Sequence, residues 1–481
     1  MNISIIRYIL GWVLNIEAVL MLFPCLTAVI YQERSGIYFL ITMVLCGGIG
    51  ILSTFRKPKN TVFYAKEGLV VVALSWIFLS IFGAFPFYIS REIPLFEDAL
   101  FEVISGFTTT GSSILPDVEA LSHCMLLWRS FTHWIGGMGV IVFILAILPN
   151  IGGGATMHIM RAESPGPSVG KLVPKVRVTA KILYQLYLGI TLIQIVLLLL
   201  FKMPLFDALC ITFGTAGTGG FGILNSSCGD YTHAQQLIIT IFMILFGINF
   251  NVYYLLRIRK PKEAFRCEEA RAYLGIVAVS IILIAVNIRH MFPSLLESFH
   301  QAAFQVASII TTTGYATADF DQWPEFSKTI LVILMFIGAC AGSTGGGLKV
   351  SRVLIGVKEM GREMRSLFHP QCVKVLRLEG KKLENTILRS VNAFFVTYAL
   401  FFFASVLIVS LDNFDFTTNF TAVAATFNNI GPGLSKVGPV CNWSGFSPLS
   451  KYVLMFDMLA GRLELFPLLL LFTPSTWRKN F

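Results

Sequence analysis

The sequence predicts an all-helical, polytopic membrane protein, built from four similar units about one axis and two further helices at the N-terminus. Of its 481 residues, 55% are hydrophobic and only 13% are charged, whereas a soluble protein carries about 25% charged residues. Apolar runs at 69–85, 182–201, 273–288 and 394–411 approach or reach the ~20 residues that cross a bilayer. Composition and run length together indicate several membrane spans.

Four short glycine-centred loops recur along the chain, each after a short apolar run typical of a helix. Their central glycines are 109, 94 and 117 residues apart (111 to 220 to 314 to 431), and a phenylalanine precedes each by 14 or 15 residues. This recurrence predicts four unequal copies of one helix–pore-loop–helix repeat around a central pore. The loop residues are Thr109, Thr110, Gly111 and Ser112; Thr218, Gly219, Gly220 and Phe221; Thr312, Thr313, Gly314 and Tyr315; and Asn429, Ile430, Gly431 and Pro432.

The repeats divide the chain into five segments. We expect the first apolar stretch to remain as an uncleaved helix, because no small-residue cleavage site follows it. The segments are 1–60 with two N-terminal transmembrane helices, 61–160 with pore repeat 1, 161–262 with repeat 2, 263–370 with repeat 3 and a broken inner helix, and 371–481 with repeat 4. The predicted outer helices are 68–90, 181–201, 270–290 and 388–411, and the predicted inner helices are 125–148, 235–257, 326–358 and 450–473.

The net charge of +10 is concentrated in the connectors between repeats. Of 37 Lys and Arg residues, 25 fall in the stretches 56–66, 161–181, 257–271 and 349–389. This is the positive-inside bias, so we expect these connectors and both termini to be cytoplasmic. No single face collects enough cations to follow a phosphate backbone, which argues against nucleic acid as a partner.

The nine cysteines are scattered without a CxxC pair, which favours neither a disulfide framework nor a zinc site.

The glycine loops have the residue types that a site for a dehydrated cation needs. Backbone carbonyls can replace the water shell of a monovalent ion without binding it too tightly. Turning successive carbonyls toward one axis requires unusual backbone angles, which glycine adopts at least steric cost. The half-helices that precede the loops also point their negative C-terminal ends at the cavity below. An alkali cation at these loops is the only metal that the sequence predicts.

The inner helix of the third repeat predicts an intramembrane gate. Five glycines between Gly338 and Gly347 cannot sustain a helix, so the segment should unwind beneath the loops, either as a gate or as a passive kink. It does not fit a phosphate-binding loop, because Leu348 stands where the lysine is required. The gate candidates in this segment are Gly342, Ser343, Thr344, Gly345, Gly346, Gly347 and Lys349.

Arg462 is the other gate candidate, because it lies midway along the last apolar helix. A charge at that depth costs from ~2.5 to over 10 kcal/mol unless it faces protein or water. We expect it to face the pore and to slow cation passage there. The alternative is that Arg462 reaches a lipid headgroup or pairs with a structural carboxylate. Glu464 is a poor partner within the helix, because it is two residues away and points to another side.

These motifs resemble the Trk/Ktr/HKT superfamily of potassium transporters, and most closely the bacterial TrkH-type membrane subunit. The likeness covers essentially the whole chain. The motifs that carry it are SGFTTTGSSIL at 105–115, RSFTHWIGGMGVIV at 129–142, TGGFGI at 218–223, GACAGSTGGGLKVSR at 338–352, NNIGPGL at 428–434 and AGRLELF at 460–466.

The resemblance implies that the four loop glycines form a filter preferring K⁺ over Na⁺. It also implies that the broken third inner helix occludes the path below the filter and that Arg462 lies at the constriction. Implied partners are a second copy, packed through the third and fourth repeats, a cytosolic nucleotide-binding regulatory subunit of the TrkA type on the basic loops, and lipid. The implied location is the bacterial inner membrane.

Three alternatives stay open at this point. A sodium-permeable or poorly selective transporter of the same fold would share these motifs. An intramembrane enzyme would need a nucleophile–base pair or a metal cluster within the spans, and no such pair is evident, so we expect no enzyme and no catalytic cofactor. A rocking carrier would be built on inverted repeats, which four units of one orientation disfavour.

Overall fold

Six helices in the described part of the chain are long and apolar enough to cross a membrane. The computed structural model describes residues 1–58, 64–139, 176–369 and 375–477. Its nearly all-helical architecture confirms the predicted fold class, and the six spans correspond to the N-terminal pair and the four predicted outer helices. The spans are Ile3–Ile30, Gly36–Thr54, Lys66–Ser90, Ala180–Leu200, Glu268–Asn287 and Asn385–Asp412.

The two N-terminal spans form a closely packed antiparallel pair outside the repeats. The first consists of α1 (Ile3–Leu20) and α2 (Leu22–Ile30), and the second is α3 (Gly36–Thr54). Small residues allow the helices to approach, since a β-carbon on Gly11 would lie 2.7 Å from the Ser53 β-carbon. The pair packs against the first helix of repeat 1.

The first repeat has the predicted order of outer helix, half-helix, loop and inner helix. Glu97 and Asp98 lie in the first turn of the half-helix, where negative side chains interact favourably with the helix dipole. The inner helix ends at Gly137, and the predicted continuation beyond residue 139 lies outside the described residues. The elements are α4 (Ala65–Ser90), α5 (Phe96–Phe107) and α6 (His123–Gly137).

The second repeat differs from the prediction in its inner helix. The expected continuous helix 235–257 is broken after Phe246, and its two parts meet at 90°. Gly247 weakens the helix, and Asn249 starts a new one by accepting a 2.9 Å hydrogen bond from the Asn251 N–H. The elements are α7 (Val176–Leu200), α8 (Leu205–Gly217), α9 (His233–Phe246), α10 (Phe250–Arg257) and the short connector helix α11 (Pro261–Phe265).

The third repeat contains the predicted interruption. Residues 338–349 are not helical and separate the apolar first part of the inner helix from an amphipathic second part. Gly338, Gly342, Gly347 and Lys349 all have positive φ values there. The elements are α12 (Glu268–Asn287), α13 (Leu295–Ile310), α14 (Glu325–Ile337) and α15 (Val350–Phe368).

The fourth repeat also has an interrupted inner helix where a continuous helix 450–473 was expected. Glu464 and Leu465 adopt φ values of 57° and 66°, which L-residues rarely hold within a helix. A small antiparallel hairpin, β1 (Arg377–Leu378) and β2 (Lys381–Lys382), precedes this repeat. The helices are α16 (Asn385–Val409), α17 (Phe416–Phe427), α18 (Pro448–Arg462), α19 (Phe466–Phe472) and α20 (Pro474–Trp477), and short 3₁₀ turns lie at Arg289–Met291, Phe320–Gln322, Ser410–Asp412 and Ser435–Val437.

The two ends of the bundle differ in the residues that they carry. At one end, which we call the basic end, Lys66 donates to the Ser475 carbonyl and Lys358 pairs with Glu268. The opposite end, which we call the loop end, carries the connections between half-helices and inner helices. An ion pair between Lys451 and Asp98, 2.6 Å long, joins the first and fourth repeats there.

Glycines on two inner helices allow them to touch the C-terminal ends of the half-helices. A β-carbon on Gly136 would lie 1.9 Å from the Phe107 carbonyl oxygen, and one on Gly461 would lie 2.1 Å from the Phe427 carbonyl oxygen. Phe107 and Phe427 each stand four residues before the loop glycine of their repeat. The first and fourth repeats therefore hold their half-helices by the same close contact.

Replacing Gly136 by alanine should lower the stability of the protein. The added methyl group overlaps backbone, and overpacking of this kind costs about 1–3 kcal/mol or more. The matched control is Gly275→Ala in α12, where a β-carbon meets nothing within 4 Å. Thermal unfolding of the detergent-solubilised protein, followed by size-exclusion fluorescence, should show a lower midpoint for Gly136→Ala alone. Equal midpoints for the two variants would contradict the packing described.

Candidate functional site: a ring of four loops

Each of the four loops places the same two positions in the left-handed region of backbone space. The first is Thr109, Thr218, Thr312 or Asn429, with φ between 55° and 59°; the second, two residues later, is the loop glycine, with φ between 81° and 101°. This conformation is sterically strained for a residue with a β-carbon, but glycine adopts it without that strain. The alternation turns successive peptide groups away from a helical path. The glycines with these angles are Gly111 (83°), Gly220 (81°), Gly314 (86°) and Gly431 (101°).

The four loops contact one another in chain order and close into a ring. Each loop glycine lies against the carbonyl of the residue that precedes the glycine of the next loop. A β-carbon on the glycine would stand far too close to that oxygen in three cases and somewhat less close in the fourth. Measured from the built β-carbon to the carbonyl oxygen, the distances are 2.0 Å for Gly111 and Gly219, 1.9 Å for Gly220 and Thr313, 2.0 Å for Gly314 and Ile430, and 2.8 Å for Gly431 and Thr110.

Side chains of the loops tie the ring together at its edges. Asn429 donates to the Thr110 hydroxyl at 3.0 Å and to the Met458 carbonyl at 2.8 Å, and Ser112 donates to the Gly431 carbonyl at 3.2 Å. Tyr315 donates its hydroxyl to the Ile211 carbonyl at 3.1 Å. Pro432 packs against Gly314, since its Cδ would lie 2.9 Å from a β-carbon there. All sixteen predicted loop residues are therefore brought to one place.

His133 joins the first half-helix to the second loop. Its Nδ1 lies 2.8 Å from the Gly106 carbonyl oxygen, and its Nε2 accepts a 3.2 Å hydrogen bond from the Phe221 N–H. A carbonyl partner requires a proton on Nδ1, and an N–H partner requires a lone pair on Nε2. The imidazole is therefore neutral and acts as a fixed link between the two repeats.

The interrupted segment 338–349 lies directly against two of the loops. The Gly346 N–H donates to the Thr312 hydroxyl at 2.6 Å, and the Gly347 N–H donates to the Asn428 carbonyl at 3.1 Å. A β-carbon on Gly345 would lie 2.8 Å from the Thr311 carbonyl oxygen. The predicted gate residues 345–347 thus cover the side of the third and fourth loops that faces the basic end.

The same segment pairs with the break in the second inner helix. The Cys340 N–H donates to the Gly247 carbonyl at 3.1 Å, and the Phe250 N–H donates to the Gly342 carbonyl at 3.0 Å. The Thr344 hydroxyl donates to the Phe246 carbonyl, and Ser343 donates to Cys340 within the segment. Two irregular stretches of backbone, one from each repeat, therefore satisfy each other's hydrogen-bonding groups, as a membrane interior requires.

Arg462 connects this segment to the first repeat. Its guanidinium donates to the Thr344 carbonyl at 2.9 Å and to the Gly137 carbonyl at 2.8 Å, with a further contact to the Gly136 carbonyl. Gly136 and Gly137 form the C-terminal end of α6, where a positive charge interacts favourably with the helix dipole. Backbone carbonyls therefore hold Arg462, and Glu464 instead pairs with Arg352 at 2.6 Å.

Lys349 and Glu269 fix the end of the segment near the basic end. Lys349 is 2% exposed, has φ 76° and donates its ammonium group to the Gly345 carbonyl. One carboxylate oxygen of Glu269 accepts hydrogen bonds from the Ala341 N–H at 2.7 Å and the Ser351 N–H at 3.1 Å. Glu269 thereby joins the segment to the first turn of α15.

Acidic residues surround the loop end, and several are engaged in local structure. Asp415 precedes α17 and accepts hydrogen bonds from the Thr418 hydroxyl and, at 3.0 Å, from its N–H. The hydrogen bond from the Thr418 side chain holds the pKa of Asp415 below its ordinary value. This carboxylate is therefore ionised at neutral pH, and it also stabilises the N-terminus of a half-helix.

Three parts of the site were not found from the sequence. The break at Gly247–Asn249 gave a weak signal, a glycine two residues before an asparagine cap. Glu269 gave none, because its partners lie 72 and 82 residues away. The hydroxyl of Thr312 was recognised as part of a loop, but its bond to Gly346 depends on the fold.

The fold and the ring place the chain in a family of membrane transport proteins. A family model described as TrkH, cation transport protein, matches residues 36–479, and the chain therefore belongs to the TrkH family. It is 37% identical to the Trk system potassium uptake protein TrkH of Salmonella typhimurium, with 100% of both chains covered. It is 34% identical to the Trk system potassium uptake protein TrkG of Escherichia coli, with 99% of both chains covered.

A solved structure shows the same fold. The crystal structure of the potassium transporter TrkH from Vibrio parahaemolyticus matches with a TM-score of 0.89 and 34% identity, over 99% of this chain and 100% of that chain. The family is one of transporters.

Removing the carboxylate of Glu269 should loosen segment 338–349. Glu269→Ala leaves two buried N–H groups without an acceptor, at about 1–3 kcal/mol each. Hydrogen–deuterium exchange should therefore become about tenfold faster or more at Ala341 and Ser351. Glu263→Ala, which removes an exposed carboxylate from α11, is the matched control. Unchanged exchange in the Glu269 variant would show that this carboxylate does not hold the segment.

Proposed function

We propose that this chain is the pore-forming membrane subunit of a potassium uptake system, conducting K⁺ inward through the ring of four loops. The observation that carries the proposal is the closed ring itself, in which carbonyls of four repeats alternate with four glycines. Two relatives of full length are named potassium uptake proteins, and a solved relative is titled a potassium transporter. K⁺ is then the transported ion, and its site is the filter.

The ring suits a partly dehydrated monovalent cation. Carbonyl oxygens are uncharged, so they replace water without the tight binding that a ring of carboxylates would give. Three of the four loop glycines remain partly exposed while the residues beside them are buried. The backbone there is open to a passing ion.

The segment 338–349 and Arg462 form the gate in this proposal. The segment fits beneath the third and fourth loops, and Arg462 ties it to the end of α6, opposite those loops. Opening requires that the contacts of Arg462 with Thr344 and the α6 end be broken or moved. Because several hydrogen bonds hold the segment, the closed state is the stable one in the absence of a partner.

Membrane placement and partners follow from the charge distribution. The basic end lies in the cytoplasm, together with both termini, in the inner membrane of a bacterial cell. The membrane potential then drives cations inward by ~2.3 kcal/mol per 100 mV. A second copy of the chain and lipid complete the membrane assembly. A cytosolic nucleotide-binding subunit of the TrkA type docks on the basic connectors, chiefly the stretch 349–389.

A sodium-permeable or poorly selective transporter is the second candidate. The fourth loop favours it, because a β-carbon built on Gly431 would lie 2.8 Å from the neighbouring carbonyl oxygen, whereas the same distance is 1.9–2.0 Å at the other three glycines. A ring that is looser at one border discriminates less by size. Flux of Rb⁺ and Na⁺ into liposomes that contain the purified protein separates the two candidates.

Gly314→Ser should weaken the discrimination between K⁺ and Na⁺. The side chain would overlap the Ile430 carbonyl, which must move out of the ring. Gly189→Ser in α7, where a β-carbon meets nothing within 4 Å, is the matched control. Competition of Na⁺ with ⁸⁶Rb⁺ uptake in liposomes measures the effect. Selectivity that is the same in both variants and in the unaltered protein would count against the filter.

Arg462→Ala should raise the rate of K⁺ flux. Loss of its contacts releases the segment and removes a positive charge from the path, and a barrier lowered by about 1.4 kcal/mol corresponds to about tenfold. Arg257→Ala, at the exposed end of α10, removes one charge without touching the segment and serves as the control. Single-channel or liposome flux measurements that show no increase for Arg462→Ala would exclude its role as a barrier.

A further inference from the structure

A buried ion pair stands behind the ring at the border of the first and second repeats. Arg129 on α6 donates to one carboxylate oxygen of Glu102 on α5, from Nε at 2.8 Å and from Nη2 at 2.7 Å. The side chains are 2% and 0% exposed, respectively. Arg129 begins the motif RSFTHWIGGMGVIV, whereas no pattern in the sequence distinguishes Glu102.

The remaining hydrogen-bonding groups of the pair reach two different loops. Glu102 accepts from the Ser113 hydroxyl at 2.9 Å and from the Ile114 N–H at 3.0 Å, just after the first loop. Arg129 donates to the Gly222 carbonyl at 3.2 Å, and its guanidinium carbon lies 4.0 Å from the centre of the Phe221 ring. The pair is thus a continuous polar connection from loop 1 to loop 2.

The equivalent positions in the other repeats carry no charge. Glu102 stands nine residues before Gly111, and the residues nine before the other loop glycines are Ile211, Gln305 and Ala422. Gln305 is buried and makes no hydrogen bond. Neutral groups join two other borders, where the Tyr315 hydroxyl donates to Ile211 and the Ser112 hydroxyl to Gly431.

Stability alone gives a poor reason for a buried ion pair at this place. Taking two charges out of water costs several kcal/mol for each ion, and apolar residues of similar size are often as stable or more so. An arginine–carboxylate pair does fix geometry, because the planar guanidinium accepts few arrangements of its partners. A pair that is costly, rigid and connected to both loops acts on their spacing.

We propose that the Glu102–Arg129 pair is the positioning element that sets the distance between the first and second loops, and thereby the discrimination among monovalent cations. The proposal rests on the proposed function, since it assigns a selectivity role to residues behind the filter. Neither residue is a ligand of the ion. The pair acts through the Gly222 carbonyl on one side and through the Ser113 hydroxyl and the Ile114 N–H on the other.

The test uses the neutral double variant Glu102→Gln/Arg129→Gln, which leaves no unpaired buried charge. In liposomes, its ratio of Rb⁺ to Na⁺ flux should fall about fivefold, which corresponds to about 1 kcal/mol. Arg129→Lys, which keeps the charge and loses the planar fork, should give an intermediate ratio. The control is Asp98→Asn/Lys451→Gln, because that ion pair is also largely buried, at 15% and 6% exposure, and joins the first turn of α5 to α18.

The ratio of Rb⁺ to Na⁺ flux, compared between these variants and the control, decides the proposal. A lower ratio in the Glu102 and Arg129 variants, with an unchanged ratio in the control, supports it. An unchanged ratio in the Glu102 and Arg129 variants overturns it, and so does an equal fall in the control. If the double variant fails to fold, Arg129→Lys and Glu102→Asp are judged by the same ratio. Failure of the proposed function shows separately, as the absence of selective Rb⁺ flux through the unaltered protein.

Discussion

The structure depends on four stretches of irregular backbone that contact one another in one ring, inside a bundle of membrane-spanning helices. Irregular backbone at membrane depth is tolerated only where protein buries it or where it lines a wet cavity. Each loop therefore needs support on its outer side, which the half-helices, the inner-helix glycines and His133 provide. The left-handed conformation at eight positions persists because so many neighbours hold it.

In the described part of the chain, three inner helices are interrupted, and contacts among the interrupted stretches connect the ring to segment 338–349. The segment 338–349 exchanges backbone hydrogen bonds with the break after Phe246, and Arg462 at the end of α18 binds both the segment and the end of α6. A movement of the segment must therefore change the bond between Gly346 and the Thr312 hydroxyl. The hydrogen bond from the Gly347 N–H to the Asn428 carbonyl would change with it, so the segment is mechanically coupled to both the third and the fourth loops.

Much of the fold follows from local patterns in the sequence. Apolar length predicted the outer helices, and the recurrence of glycine loops predicted half-helices at 97–107, 206–216, 299–310 and 416–427. Three of these ranges agree with the structure within one residue, whereas the third half-helix begins four residues earlier than expected, at Leu295. The breaks at 247–249 and 463–465 were missed because the tertiary contacts that stabilise them are distant in sequence. Glu102 and Glu269 were missed for the same reason, since a single acidic residue in an apolar stretch does not reveal its partner.

A structure of the protein with Tl⁺ or Rb⁺ in place of K⁺ tests the role of the ring most directly. Anomalous scattering would locate the ions independently of any assumption about the path. If the ring binds the ions, anomalous peaks should lie on its axis, in contact with the carbonyl oxygens next to Gly111, Gly220, Gly314 and Gly431. Ions bound elsewhere, with no peak at these carbonyls in crystals that contain the metal, would contradict that role.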